Sequence, residues 1–367
     1  MTGLLCGTLP HLPRKKANDS RRRTVGPGGQ TVTLKTLADH LGLSPATISL
    51  VINRAPAARS IPPRTQERVL AAARQLNYRP NSVARSLRRQ RSFTVGVLVP
   101  EISEGYAALV MSGIEDYLLQ EGYLYFVASH RHRPDLIDEY PRLLLDRAVE
   151  GLIAVDTPCR QNLPVPVVAV SGHERTNGVT SIEVNHTRAA RLGVEHLVSL
   201  GHCRIAIIKG QAFSSDTETR WRAIRVTASK LGVPIHPRLV VQLQGDHPSP
   251  ELGHRVTHEL LARGEPFTAI FAFNDIAAFG AIRALREAGH RVPEDVSVVG
   301  FDDVQTAAYH TPGLTTVRQP LRTMGEMAAA TLLKRIAEAG RGPHPRVITV
   351  DPELIVRESS GPATHPA

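Results

Sequence analysis

Over residues 33–53, TLKTLADHLGLSPATISLVIN, apolar positions fall at helical spacing twice, with a break between. Leu34, Leu37, Ala38 and Leu41 stand at i, i+3, i+4 and i+7, one stripe of a short helix that Gly42 ends. Ser44 has the side-chain oxygen to cap a second helix, and Pro45 suits its first position, where a missing N–H costs nothing. Ile48, Val51 and Ile52 then form the inward face, leaving Pro45, Ala46, Ser49, Leu50 and Asn53 on the other side. Two short helices around a tight turn containing Gly predict a helix-turn-helix. In IPPRTQERVLAAARQLNY, Val69, Ala72, Ala73 and Leu76 predict a third helix that closes this small core, with Tyr78 and Pro80 ending it.

From Phe93 the pattern changes. Short apolar runs (TVGVLVP, YLYFVAS, GLIAV, VPVVAV) alternate with helical stretches (GYAALVMSGIEDYLLQEG, PDLIDEYPRLLLDRAV), which predicts a parallel sheet with helices on both faces. The order then repeats: helix 186–200, strand RIAIIKG, helix 219–232, strand LVVQL, helix 249–263, strand TAIFAF, helix 275–289, strand DVSVVGF. The prediction is an α/β protein: an all-α helix-turn-helix headpiece followed by a core of two doubly wound α/β lobes. Ligands of such sheets bind beyond the carboxyl ends of the strands, here between the lobes. Those ends carry residues 100–106, 210–220 (with Asp216 and Arg220), 245–247, 273–275 and 301–303.

Charge sharpens this division. Residues 1–91 hold 17 Lys/Arg against 3 Asp/Glu, while residues 92–367 hold 27 against 31. A basic quarter on a slightly acidic body reads as the footprint of a polyanion, since phosphate neutralisation dominates affinity for nucleic acid. The start, MTGLLCGTLPHLPRKK, has its basic residues after the short apolar stretch, and no run of about 18 apolar residues occurs. Cys6, Cys159 and Cys203 form no CxxC pair. Together these predict a cytoplasmic protein with reduced thiols and no membrane contact.

The second helix of the hairpin would enter the DNA major groove. Leu50, a large side chain that the core does not need, suits a thymine methyl, and the hydroxyls of Thr47 and Ser49 suit phosphate oxygens. The plain alternative is an exposed leucine on a helical hairpin. Residues 81–90, NSVARSLRRQ, read as a fourth short helix capped by Asn81, too short and too basic to be stable alone. Arg85, Arg88 and Arg89 would contact phosphates, and Ala84 and Leu87 share a face suited to a minor-groove wedge. A basic linker is the alternative. Residues 1–30 read as a disordered basic extension, 31–80 as the DNA-binding domain, 81–91 as hinge or linker, and 92–360 as the two-lobed effector-binding and dimerisation domain.

The segments TLKTLADHLGLSPATISLVIN, NYRPNSVARSLRRQRSFTVGVLVP, HLVSLGHCRIAIIKG, FAFNDIAAFGAIRALREAGHRVPEDVSVVGFDD and LTTVRQP resemble the lactose-repressor (LacI/GalR) family of bacterial transcriptional regulators, from about Val32 to Glu358. The resemblance implies a headpiece, a hinge helix that orders on operator DNA, a periplasmic-binding-protein-like core and a homodimer. It places Pro45, Ala46 and Leu50 at base-reading positions, flanked by Thr33, Ser44, Thr47, Ser49 and Asn53, and makes Leu87 the wedge with Ala84 beside it. Arg220 and Asp302 correspond to a ligand-contacting pair, Asn274 and Asp275 to a further cleft position, Tyr106 to an aromatic or small apolar position, and His247 to an aromatic platform. The implied effector is a small, sugar-like molecule, and no cofactor is implied. The family pattern is shortened between Val155 and Val167, while SGHER (171–175) and SEGYA (103–107) replace its common residues.

Two rival classes are an enzyme of the doubly wound fold and a solute-binding sensor without DNA. No phosphate loop, GxGxxG after a strand or GxSxG elbow occurs. His254 and His258 stand at i, i+4 and could chelate a metal, but HRVTHE lacks a metalloprotease glutamate and offers no third ligand in sequence, so a solvated helix face is expected. Asp302 and Asp303, adjacent at a strand end, should point apart and not act as an acid/base pair.

Overall fold

The computed structural model describes residues 32–78, 91–102, 105–159, 162–171, 176–245, 249–338 and 344–364. They form two compact units, one within residues 1–90 and one within 91–367. The first contains α1 (Leu34–Leu41), α2 (Pro45–Ile52) and α3 (Pro63–Gln75). Thr33 caps α1 by accepting from Thr36 N, and Ser44 caps α2 by accepting from Thr47 N at 3.1 Å. Between them Gly42 takes φ 65°, the left-handed conformation that lets the chain reverse in a tight turn. Leu37, Ala38, Ile48, Val51, Val69, Ala72 and Ala73 are buried together, the stripes that the spacing predicted.

The second unit holds two six-stranded sheets. The first lobe contains β1 (Thr94–Val99), α4 (Gly105–Gln120), β2 (Leu124–Ser129), α5 (Pro134–Leu145), β3 (Leu152–Val155), β4 (Val167–Val170) and β5 (Val179–Val184). The second contains α6 (His186–Ser199), β6 (Ile205–Lys209), α7 (Ser215–Lys230), β7 (Val240–Gln242), α8 (Pro250–Ala262), β8 (Ala269–Ala272), α9 (Asp275–Glu287), β9 (Ser297–Asp302) and β10 (Thr315–Arg318). The chain then returns to the first lobe with α10 (Leu321–Ala337) and β11 (Val347–Val350), and ends in the second with β12 (Glu353–Ile355). Sheet orders are β11-β5-β4-β3-β1-β2 and β12-β10-β9-β8-β6-β7. All pairings are parallel except β10 with β12.

Each sheet is covered on both faces, which is why its strands read as continuous apolar runs. In the first lobe Val95, Val97 and Val99 pack with α4 and α10, while Leu98 and Leu152 pack on the opposite side with Leu144 of α5. In the second, Ile208, Ile270 and Val298 pack with α8 and α9, and Ile205, Ile207 and Phe271 with α6 and α7. The connections β5 to α6, β10 to α10 and β11 to β12 cross between lobes. Helix α7 begins four residues before its predicted start, because Asp216 and Glu218 supply an acidic first turn that the apolar spacing does not register.

Ile48 is fully buried in a headpiece cluster of seven buried side chains among the described residues. Ile48→Ala is therefore expected to cost about 2–5 kcal/mol, seen in urea unfolding followed by circular dichroism as an early transition that the wild type lacks.

Candidate ligand cleft and DNA-reading surface

Between the lobes lies a cavity of about 100 Å3. Its floor is Arg220, one turn after Asp216 on α7 and only 3% exposed. The guanidinium lies between two aromatic rings, 4.4 Å from the Phe273 centroid and 3.5 Å from that of Phe301. Its Nη1 donates to the carbonyl of Phe273 and its Nη2 to Asp216 Oδ2 at 3.3 Å. Asp216 also faces His186, whose Nε2 is 3.5 Å from Oδ1.

Asp302 ends β9 in a positive-φ conformation, φ 113°, which a non-glycine residue holds only where surroundings enforce it. Gln319, in the β10–α10 crossover, donates from Nε2 to Asp302 Oδ1 at 2.6 Å. Burial pushes the Asp302 carboxyl up to about 7, against the opposing pull of Arg220 and the Gln319 bond. Arg220 Nε and Gln319 Oε1 are buried with no hydrogen-bond partner among the described residues. A donor and an acceptor are thus presented together, which suits a ligand bearing hydroxyls.

The two lobes meet around this floor. Tyr106 at the start of α4 donates its hydroxyl to Ser171 Oγ at 2.6 Å, and Ser215 Oγ donates to the Ser171 carbonyl at 2.6 Å. Burial pushes the Tyr106 hydroxyl well above the usual tyrosine range, so it remains a donor. His132, after β2, rests on Phe213, after β6, with ring centroids 4.1 Å apart.

On the headpiece, Ser44, Pro45, Ala46 and Asn53 are exposed, and Thr47, Ser49 and Leu50 half-buried. Leu50 lies outside the headpiece core cluster. The Thr47 hydroxyl lies 2.9 Å from Ser44 Oγ, and Asn53 Nδ2 donates to Ser49 O and Oγ at 2.8 and 3.2 Å. These bonds hold the polar side chains in place along one face of α2.

Residues 33–81 match the bacterial regulatory proteins, lacI family, and residues 194–360 match a periplasmic binding protein-like domain. Over 337 residues the chain is 32% identical to the HTH-type transcriptional repressor PurR of Haemophilus influenzae, spanning 89% of this chain and 98% of that protein. The chain belongs to the lacI family of bacterial regulatory proteins. It is a DNA-binding transcriptional repressor of that family. Among solved structures, the lac repressor dimer bound to operator and the anti-inducer ONPF superposes with a TM-score of 0.80 at 29% identity, over 90% of this chain and 99% of that one. The transcriptional regulator CelR–cellobiose complex has a TM-score of 0.66 at 29% identity, over 89% and 99%.

Of the predicted cleft residues of this lacI-family repressor, Tyr106, Asp216, Arg220, Asn274 and Asp302 line one cavity. Asn274 also caps α9 by accepting from Ala277 N at 2.9 Å. Asp275 does not face the cavity: it is fully buried behind it, accepting from Thr316 Oγ1 at 2.6 Å and Val304 N at 2.8 Å. Asp303 diverges from Asp302 as expected, paired with Arg318 and Arg357 at 2.7 Å each. His247, Asn81, Ala84, Arg85, Leu87 and Arg88 lie outside the described residues. His132, Asp156 and Gln319 also line the cavity and escaped the sequence reading. Each follows the carboxyl end of a strand (β2, β3 and β10), the one sequence signal that marks such a position.

The Asp302 carboxyl binds its proton more tightly folded than unfolded, so the stability it confers is complete below its ordinary pKa of 3.8 and is lost as pH rises toward 7. Asp302→Asn should remove this fall: in ligand-free protein its melting temperature should gain on the wild type between pH 4 and pH 7. Parallel melting curves across that range would contradict the assignment.

Proposed function

We propose that this repressor binds a palindromic operator as a homodimer, and that a small polyhydroxylated metabolite, a sugar or sugar derivative, binds between the lobes and sets operator affinity. The observation that carries the ligand reading is the Arg220 floor between Phe273 and Phe301, flanked by Asp216 and Asp302. The rings of Tyr106, Phe213 and Phe273 line the cavity and suit the apolar faces of a sugar ring, and the charged edges suit its hydroxyls. Relatives of the same fold support it: CelR was solved with cellobiose, and a LacI family regulator from Enterococcus faecium with bound ribose. The cleft is read as a binding site and not a catalytic one, in keeping with the relatives, which are transcriptional repressors. No helix among the described residues is long and apolar enough to cross a membrane, and we place the protein in the cytoplasm with its DNA.

The DNA surface is the exposed face of α2, with Pro45, Ala46 and Leu50 reading bases and Thr33, Ser44, Thr47, Ser49 and Asn53 serving the backbone. Asn81, Arg85 and Arg88 would add phosphate contacts, and Leu87 beside Ala84 a minor-groove wedge. The dimer reading is supported by β2, which among the described residues is an edge strand of the first sheet and whose Leu124 (73%), Phe126 (45%) and Val127 (39%) are exposed. An apolar open edge of this kind is normally covered by a partner.

Arg220→Ala and Asp302→Ala should leave operator binding intact and abolish the effector response, weakening ligand binding by about 2–5 kcal/mol. A thermal-shift screen of sugars, then isothermal calorimetry and gel shift with the hit, tests this; wild-type ligand affinity in both variants would refute the cleft assignment. Leu50→Ala should change base preference at one position of each half-site. Selection from randomised DNA returning the wild-type sequence logo would show that this face of α2 has been misread.

A further inference from the structure

The sequence places His254 and His258 one turn apart on α8, and the fold adds what spacing could not: Glu287, at the end of α9. Its Oε2 is 2.6 Å from His254 Nε2 and 3.6 Å from His258 Nε2. One ligand atom from each of the three residues lies within 4.8 Å of the others. We propose that His254, His258 and Glu287 form a divalent transition-metal site of the zinc class that ties α8 to α9 in the second lobe.

The helices are brought this close by Gly253 and Gly280. A Cβ on Gly253 would meet the backbone of Ala277, and one on Gly280 that of Pro250 and His254, so these helices touch backbone to backbone. That contact fixes α8 against α9 and leaves little freedom in where the two imidazoles meet the carboxylate. The ring centroids of His254 and His258 are 4.6 Å apart, so both imidazoles converge on one side of α8.

Two imidazole nitrogens and one carboxylate oxygen are a donor set that zinc prefers, with water completing the tetrahedron. Two bonds of about 2.1 Å at the tetrahedral angle put donors about 3.4 Å apart. The His258–Glu287 separation is already near that, and the His254–Glu287 hydrogen bond must open by under an ångström. Glu287 and His258 are exposed enough to allow this by side-chain rotation alone. The ion would take the place of the hydrogen between His254 Nε2 and Glu287 Oε2, binding each imidazole as the neutral tautomer with its proton on Nδ1. Arg283 does not compete for the same atom, because its Nε donates to Glu287 Oε1 at 2.8 Å and leaves Oε2 to the histidines. The cluster belongs to α8 and α9 alone, and none of its three residues lines the cleft.

The test uses tag-free full-length protein, stripped with chelator and titrated with Zn2+ by isothermal calorimetry. One saturable equivalent is expected, with a rise in melting temperature. The His254→Ala/His258→Ala double variant and Glu287→Gln should each bind that equivalent more than tenfold more weakly, while their metal-free melting matches the wild type. With Co2+ as a probe, the wild type should show visible d–d bands of nitrogen and oxygen ligation without a sulfur charge-transfer band, a readout that does not depend on how any variant folds. No saturable uptake, uptake unchanged in the double variant, or a Co2+ spectrum showing thiolate would overturn the proposal.

Discussion

A guanidinium that is 3% exposed has to be neutralised where it sits, and most of the cleft follows from that requirement. Asp216 comes from one turn earlier on the same helix, so α7 carries its own counter-charge. The rings of Phe273 and Phe301 hold the guanidinium plane and exclude water from it. The second carboxylate, Asp302, approaches from the end of β9 at the cost of a strained backbone, and its burial raises it to where it gains or loses its proton near pH 7. The site therefore holds fixed positive charge and adjustable negative charge side by side.

Gln319 extends that balance beyond the site. It bonds Asp302 from within a segment that crosses between lobes, so a change in what Asp302 accepts is felt at the crossover. Ser171 has a matching role on the other side, joining Tyr106 of the first lobe to Ser215 of the second through its hydroxyl and its carbonyl. A ligand shifts a two-lobed protein only by contacting its open and closed forms unequally. Groups shared by both lobes are where such inequality arises.

Much of this was legible in the sequence for identifiable reasons. Doubly covered strands read as apolar runs, and the headpiece reads from two caps and a glycine. Arg220, Asp302 and Tyr106 were reached through strand ends and family resemblance together. What stayed hidden depends on contacts between distant segments. Asp275 looks like a cleft residue in sequence, but Thr316, 41 positions away, turns it inward. Glu287 looks like a surface charge until α9 is laid against α8. Strands β11 and β12 are short, and their sheets are set only by where the chain crosses. No local pattern encodes these pairings.

The three crossings also order the events of synthesis. The first lobe precedes the second in the chain, yet Leu321, Met324, Ala328 and Leu332 of α10 belong to its core and β11 forms its edge. A nascent chain that has emerged only as far as β10 has therefore covered that face of its first sheet with α4 alone, leaving the α10 half open. That lobe waits, part of its apolar core uncovered, while the whole second lobe is translated. Completion depends on a helix made more than 200 residues after β1 (Thr94 to Leu321), a long-range closure of the kind that slows folding. A chain that crosses three times between its lobes thus depends on protection at the ribosome until α10 arrives.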